Sequence, residues 1–235
     1  MHHASQHLAI TLLLVGTAVV YVGVWRRSSM AASRLAAFLG GLAVLWIAVA
    51  SPLANLDDEL LIAHMLQHLL IMTVAAPLIL LGAPRRLGRY FIHPAICWLA
   101  GTAAVLVWHI PTCFELGMSS GVWHLVEQVS FLASGLLFWW PIVQSSARFP
   151  EWSAPLYLFV ATIPCDALSA FLTFCDRVVY PSYLSAGRLL DLSALDDQQW
   201  AGTLMWVWVT FAYLAPAASI TMRLLSPRHE ARGGL

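Results

Sequence analysis

Apolar residues fall in seven long blocks along this chain, roughly 7–25, 35–51, 59–82, 94–110, 122–144, 154–175 and 199–225. Each reaches or approaches the ~20 residues that a helix needs to cross about 30 Å of hydrocarbon. The fourth block is the shortest. The last is long enough to require tilt, and Pro216 is a place for a kink. The pattern predicts an all-α, polytopic transmembrane bundle of about seven spans, with residues 1–235 forming a single integral membrane domain. The first block ends in Trp25-Arg26-Arg27 rather than a small-residue cleavage site, so it reads as the first span and not as a cleaved leader.

The polar residues between the blocks orient the bundle. Arg26, Arg27 and Arg34 follow the first block, Arg85, Arg86 and Arg89 the third, and Arg148 the fifth; Arg223, Arg228 and Arg232 lie at or beyond the end of the seventh. Only Arg177 and Arg188 belong to the other side. Short arginine-rich loops stay in the cytoplasm. The N-terminus is therefore expected outside and the C-terminus inside, as an odd number of spans requires.

Composition agrees with the membrane reading. The 235 residues are 60% hydrophobic and only 10% charged, with a mean hydropathy of +0.76. Soluble domains carry about 25% charged residues, so too little polar surface remains to cover a water-soluble globule. Four cysteines occur without any CxxC pair, which gives neither a disulfide framework nor a zinc-ribbon spacing. Nucleic acid is not an expected partner; the membrane is, and a homo-oligomer is left open.

The histidines carry the candidate chemistry. His64 and His68 open the third span four residues apart, which stacks them on one helical face, and Met72 continues the stripe. His109 closes the fourth span before Pro111. His124 opens the fifth, with Glu127 and Gln128 one turn on. Asp196, Asp197 and Gln199 open the seventh. All of these fall near the expected outer boundary, where ionisable groups face the bundle interior and mark functional sites. A single intramembrane histidine is more often a hydrogen-bond partner between helices, but a pair at this spacing can share one metal.

The expected ligands are His64, His68, His109, His124 and Asp196. The plainer reading of Asp196 is a helix cap. Glu127 and Gln128 suit the orientation of a histidine better than direct binding, with an extra ligand as the other role for Glu127, and Gln199 is a further candidate beside them. Met72 offers a soft contact. Cys113 and Cys175 reach the same boundary as metal or disulfide partners, though small buried cysteines are common in apolar helices. His3 could complete a square-planar nitrogen site with a free amino terminus; a frayed terminus is the plainer reading. Asp166, inside the sixth span, reads equally as a hydrogen-bonded kink or a proton step. Imidazole suits zinc, copper, iron and nickel, whereas thioether and thiolate favour copper(I). Residue chemistry alone leaves zinc and iron open.

A resemblance narrows this choice. His64-Met65-Leu66-Gln67-His68, followed by the run from Ala76 to Pro84, resembles the CtaG family of membrane-integral cytochrome c oxidase assembly factors of bacteria. Trp108-His109-Ile110-Pro111 is similar to the same family. So are His124-Leu125-Val126-Glu127-Gln128 leading into Phe138-Trp139-Trp140-Pro141, and Asp196-Asp197-Gln198-Gln199-Trp200-Ala201-Gly202 leading into Met205-Trp206. These stretches cover spans three, four, five and seven; spans one, two and six add little.

The resemblance implies a non-enzymatic role in maturing haem–copper oxidases. The protein would lie in the bacterial cytoplasmic (inner) membrane, receive copper from outside or from a small periplasmic or extracellular carrier, and deliver it to an oxidase subunit. Neutral imidazole is the binding form, so affinity should fall as pH drops through ~6.5. The rival readings are a membrane redox enzyme, a copper or proton transporter, and a metal-free assembly scaffold.

Overall fold

The computed structural model describes residues 2–84, 92–144, 150–185 and 192–226, with the side chains of 2–5 excepted. Arg85, Arg86, Arg89, Arg148, Arg188, Arg228 and Arg232, and the His3 side chain, lie outside the described residues. Every regular element among the described residues is helical, with no strand. The long helices are α1 (His2–Arg26), α2 (Ala32–Ala50), a third built from α3 (Leu61–Leu69), a π turn (Leu70–Ala75) and α4 (Ala76–Gly82), then α5 (Pro94–Trp108). They are followed by the short α6 (Pro111–Met118), then α7 (Gly121–Val143), α8 (Ser153–Phe174) and α9 (Ala194–Leu225). Among the described residues, six spans are long and apolar enough to cross a membrane, or seven if α5 and α6 count as one bent span.

The span Leu61–Gly82 is the axis of the bundle: α2, α7 and α9 all pack against parts of it. Its sides are crowded with apolar residues that lipid alone would not bury, including Leu61, Met65, Ile71 and Ala76. Pro77 has no N–H and its ring would press on the preceding turn. The helix answers by widening, so that the N–H of Ala76 reaches back to the carbonyl of Ile71. Of the carbonyls in the π turn, that of Met72 accepts the Trp139 indole N–H at 3.0 Å, which satisfies a backbone group that lipid could not. Small residues let neighbours approach closely. A Cβ on Gly135 of α7 would sit 3.1 Å from the backbone of Met72, and one on Gly202 of α9 would sit 2.8 Å from the backbone nitrogen of Thr173 on α8.

The fourth apolar block is followed by a sharp turn and a further short helix. α5 stops at Trp108, and after His109 and Ile110 the chain turns by 78° into α6. Pro111 stands at the start of α6, where its missing N–H costs nothing. Helix α6 is too short to cross a membrane and folds over the end of the bundle where α3, α7 and α9 begin.

Candidate metal centre

The N-terminus of α3 is tethered from across the bundle. Both oxygens of Asp197, on α9, accept backbone N–H groups there, from Leu61 at 2.7 Å and Ile62 at 3.1 Å. These are donors that the helix cannot satisfy itself. One turn on, α3 presents His64 and His68 on one face, their rings edge to face with centroids 4.4 Å apart. Glu127 of α7 points between them. Its Oε1 lies 3.5 Å from His64 Nε2 and 3.6 Å from His68 Nε2.

Those separations are too long for hydrogen bonds. Neither ring nitrogen of His64 or His68, and neither oxygen of Glu127, has a hydrogen-bond partner among the described residues. All three side chains are nevertheless buried, Glu127 to 1% exposure. Buried polar groups are otherwise almost always paired. Convergent lone pairs with room between them are the arrangement that a cation satisfies.

A second group shares His64. Asp57, in the turn before α3, brings Oδ2 within 3.3 Å of His124 Nε2. The ligand atoms of Asp57, His64 and His124 lie within 4.8 Å of one another, as do those of His64, His68 and Glu127. Burial pushes the Asp57 carboxyl above the ordinary carboxylate range, and the imidazoles of His124 and His64 pull it back. His124 Nε2 is also 2.9 Å from Gln128 Nε2, and Gln128 reaches Gln67 at 3.5 Å. Three imidazoles and two carboxylates therefore form one continuous cluster.

Helix α6 and the stretch around Tyr180 and Tyr183 that follows α8 close over this cluster. Phe114 of α6 packs on the His64 ring at 4.9 Å and stacks on Tyr180 at 4.0 Å. A Cβ on Gly117 would stand only 2.8 Å from Glu127 Oε2, so any larger residue there would displace the carboxylate. Tyr180 donates to the carbonyl of His109 at 3.2 Å, and Tyr183 to that of Asp57 at 2.6 Å. Burial pushes the Tyr183 phenol well above its ordinary value, which keeps it a donor. Beside Asp57 and His124 runs a cleft of about 360 Å³, whose walls include Gln6, His7, Asp58 and Gln128. It gives the cluster one flank reachable by a small ion.

Several expected ligands lie elsewhere. His109 is in neither ligand group: its Nδ1 lies 2.7 Å from the carbonyl of Val105, and Nε2 lies 3.3 Å from Met65 Sδ. Asp196 is exposed and closes a local loop with Ser193, the N-cap of α9, whose hydroxyl donates to it at 2.6 Å. Asp197, not Asp196, faces inward. Gln199 donates to the carbonyl of Cys175 at 3.4 Å. Cys113 and Cys175 are free thiols, so no disulfide joins them. Met72 is buried beside His68, away from Asp57 and His124.

One member of the cluster, Asp57, was not among the expected site residues. Asp57 belongs to the acidic run Asp57-Asp58-Glu59 just before the third span, a signal within reach. Glu127, expected to orient a histidine or to serve as an extra ligand, points its carboxylate directly at two. The donor set of nitrogen and oxygen suits copper(II), zinc or iron better than calcium or magnesium, which prefer all-oxygen shells. Two buried carboxylates that, among the described residues, have no arginine partner also favour a cation, since an uncompensated buried charge is costly.

A family model described as cytochrome c oxidase caa3 assembly factor (Caa3_CtaG) matches residues 18–226, nearly the whole chain. No curated protein and no solved structure matches.

Proposed function

The chain belongs to the family of cytochrome c oxidase caa3 assembly factors, and from that premise we propose that it holds copper at the outer mouth of its bundle and passes it to an oxidase subunit. Membership of an assembly-factor family implies a non-enzymatic role. Copper is the cargo here, so His64, His68 and Glu127 would hold it first, with His124 and Asp57 completing or extending the shell. The observation that carries this reading is the convergence of His64, His68 and Glu127, buried and free of hydrogen bonds, at metal-sharing distances.

Delivery demands that the ion leave as well as arrive. The cleft beside Asp57 and His124 supports exchange from that flank, with a periplasmic or extracellular carrier as donor. The arginine distribution supports placing this end outside the bacterial cytoplasmic membrane.

The test is elemental analysis of protein purified in mild detergent without an affinity tag. Wild type is compared with His64→Ala/His68→Ala after copper loading and desalting. Retention of roughly one or two copper per chain in wild type, lost in the variant, is expected of a site built on these imidazoles. Equal, negligible copper in both would sink the reading in favour of a metal-free scaffold.

A further inference from the structure

On the far side of His68 from Asp57, deeper along the same helices, lies a separate small cavity of about 30 Å³. That is room for an ion or a water molecule or two. Its wall gathers three of the seven methionines in the chain, Met65, Met72 and Met205, together with His68, His109 and Cys165. All six are buried. No carboxylate or arginine lines it. Methionine fills irregular gaps in many cores, so the sulfurs alone would carry no more than packing.

The orientation of His109 changes that. A carbonyl only accepts, so Nδ1, at 2.7 Å from the Val105 carbonyl, must be the donor nitrogen. The neutral ring then presents a bare lone pair at Nε2, and this faces Met65 Sδ, another acceptor, at 3.3 Å. No proton stands between the two unless the ring is charged, and nothing anionic lines the cavity to balance such a charge. With metal–nitrogen and metal–sulfur bonds of about 2.0 and 2.3 Å, a near-tetrahedral angle sets the two donors roughly 3.5 Å apart. His68, whose Nδ1 is buried without a hydrogen-bond partner, adds a second unsatisfied imidazole to the same wall.

We propose that this cavity is a binding site for a soft monovalent cation, copper(I) or its analogue silver(I), held by His109 Nε2 and the thioethers of Met65 and its neighbours. Thioethers select copper(I) over harder ions. An uncharged donor set also favours a single positive charge, because desolvating a divalent ion there would have no anion to offset it. His68 borders both this cavity and the histidine–carboxylate cluster, so the two sites are neighbours. The choice of copper rests on the proposed function; the geometry stands without it.

The experiment is X-ray absorption at the copper edge on detergent-purified protein loaded with copper(I) under anaerobic, reducing conditions. It is paired with chelator competition using copper(I) and silver(I). Wild type should show roughly two sulfur scatterers in the first shell of the bound ion. Glu127→Gln/His124→Ala should keep that sulfur-ligated ion. Met65→Leu/Met205→Leu, a nearly volume-conserving pair, should lose the sulfur signal and bind about tenfold more weakly or worse. A wild-type shell of nitrogen and oxygen alone overturns the proposal whether or not the variants fold. If that copper also disappears in Glu127→Gln/His124→Ala, the outer cluster stands and only the soft site falls. Sulfur-ligated copper that survives in the methionine variant overturns it too, and absence of copper from wild type removes both sites.

Discussion

At the scale of the residue, Glu127 sets the electrostatics of the centre. Its carboxylate is buried between two imidazoles with no hydrogen bond to either, so a bound cation would offset a desolvation cost already present. Glu127→Gln keeps the shape and removes the charge. The metal-free variant should melt no earlier than wild type, because an unpaired buried charge has gone. Copper should stabilise wild type, by about 2.7 kcal/mol at a free concentration of 100 times Kd, and the variant by far less. Thermal melts with and without copper check this; equal copper-induced shifts would remove Glu127 from the ligand set. Gly117→Ala probes the same carboxylate from the other side, since the new methyl would stand 2.8 Å from Oε2. It should weaken copper retention while leaving the expression level near that of wild type, and unchanged retention would show that the carboxylate can move freely. The pair His64 and His68 was legible in the sequence because four-residue spacing on a helix fixes a shared face. Asp57 stands in a visible acidic run, but its selection over Asp58 and Glu59 was not legible, because it depends on how the turn before α3 folds back towards α7. His109 and Asp196 lie at the expected end of the bundle, yet depth alone cannot say which way a side chain points.

At the scale of the element, the centre depends on α3 beginning at Leu61 and on α6 folding over it. Asp197 ties the first of these down through the Leu61 and Ile62 N–H groups. Asp197→Ala should therefore cost about 1 kcal/mol, in the range of other lost helix caps, and lower the melting midpoint by a few degrees. It should also weaken copper binding, although Asp197 touches neither histidine, because the first turn of α3 would fray beneath His64. A variant that melts earlier but binds copper as tightly as wild type would confine Asp197 to stability. The apolar blocks marked the long helices well, since a run near 20 residues admits few alternatives. Helix α6 escaped notice for the opposite reason. Its eight residues are too few for a span, and Pro111 reads equally as the end of one helix or the first residue of the next. The π turn was equally hidden: Pro77 signals a disturbance, but whether the helix kinks or widens depends on what supports the freed carbonyls, here Trp139.

At the scale of the whole molecule, the position of the centre relative to the membrane decides what it can serve. Asp57, His64, His124 and the cleft beside them cluster at the end of the bundle where α3, α7 and α9 begin. Among the described residues, Arg26, Arg27, Arg34 and Arg223 lie at the opposite end, and the order of the apolar blocks assigns six further arginines to the same side. If short basic loops hold to the cytoplasm, the C-terminus is inside and the histidine–carboxylate cluster opens outward, towards a carrier arriving from outside. A fluorescent protein that matures only in the cytoplasm, fused after Leu235, should then be bright. Alkaline phosphatase, active only outside, should be silent at that position and active when inserted after Ser185, between α8 and α9. The reverse pattern would turn the cleft to the cytoplasm. Copper would then have to come from an intracellular donor, and loading an oxidase subunit from the outer face would fail on geometry, whatever the affinity of the site.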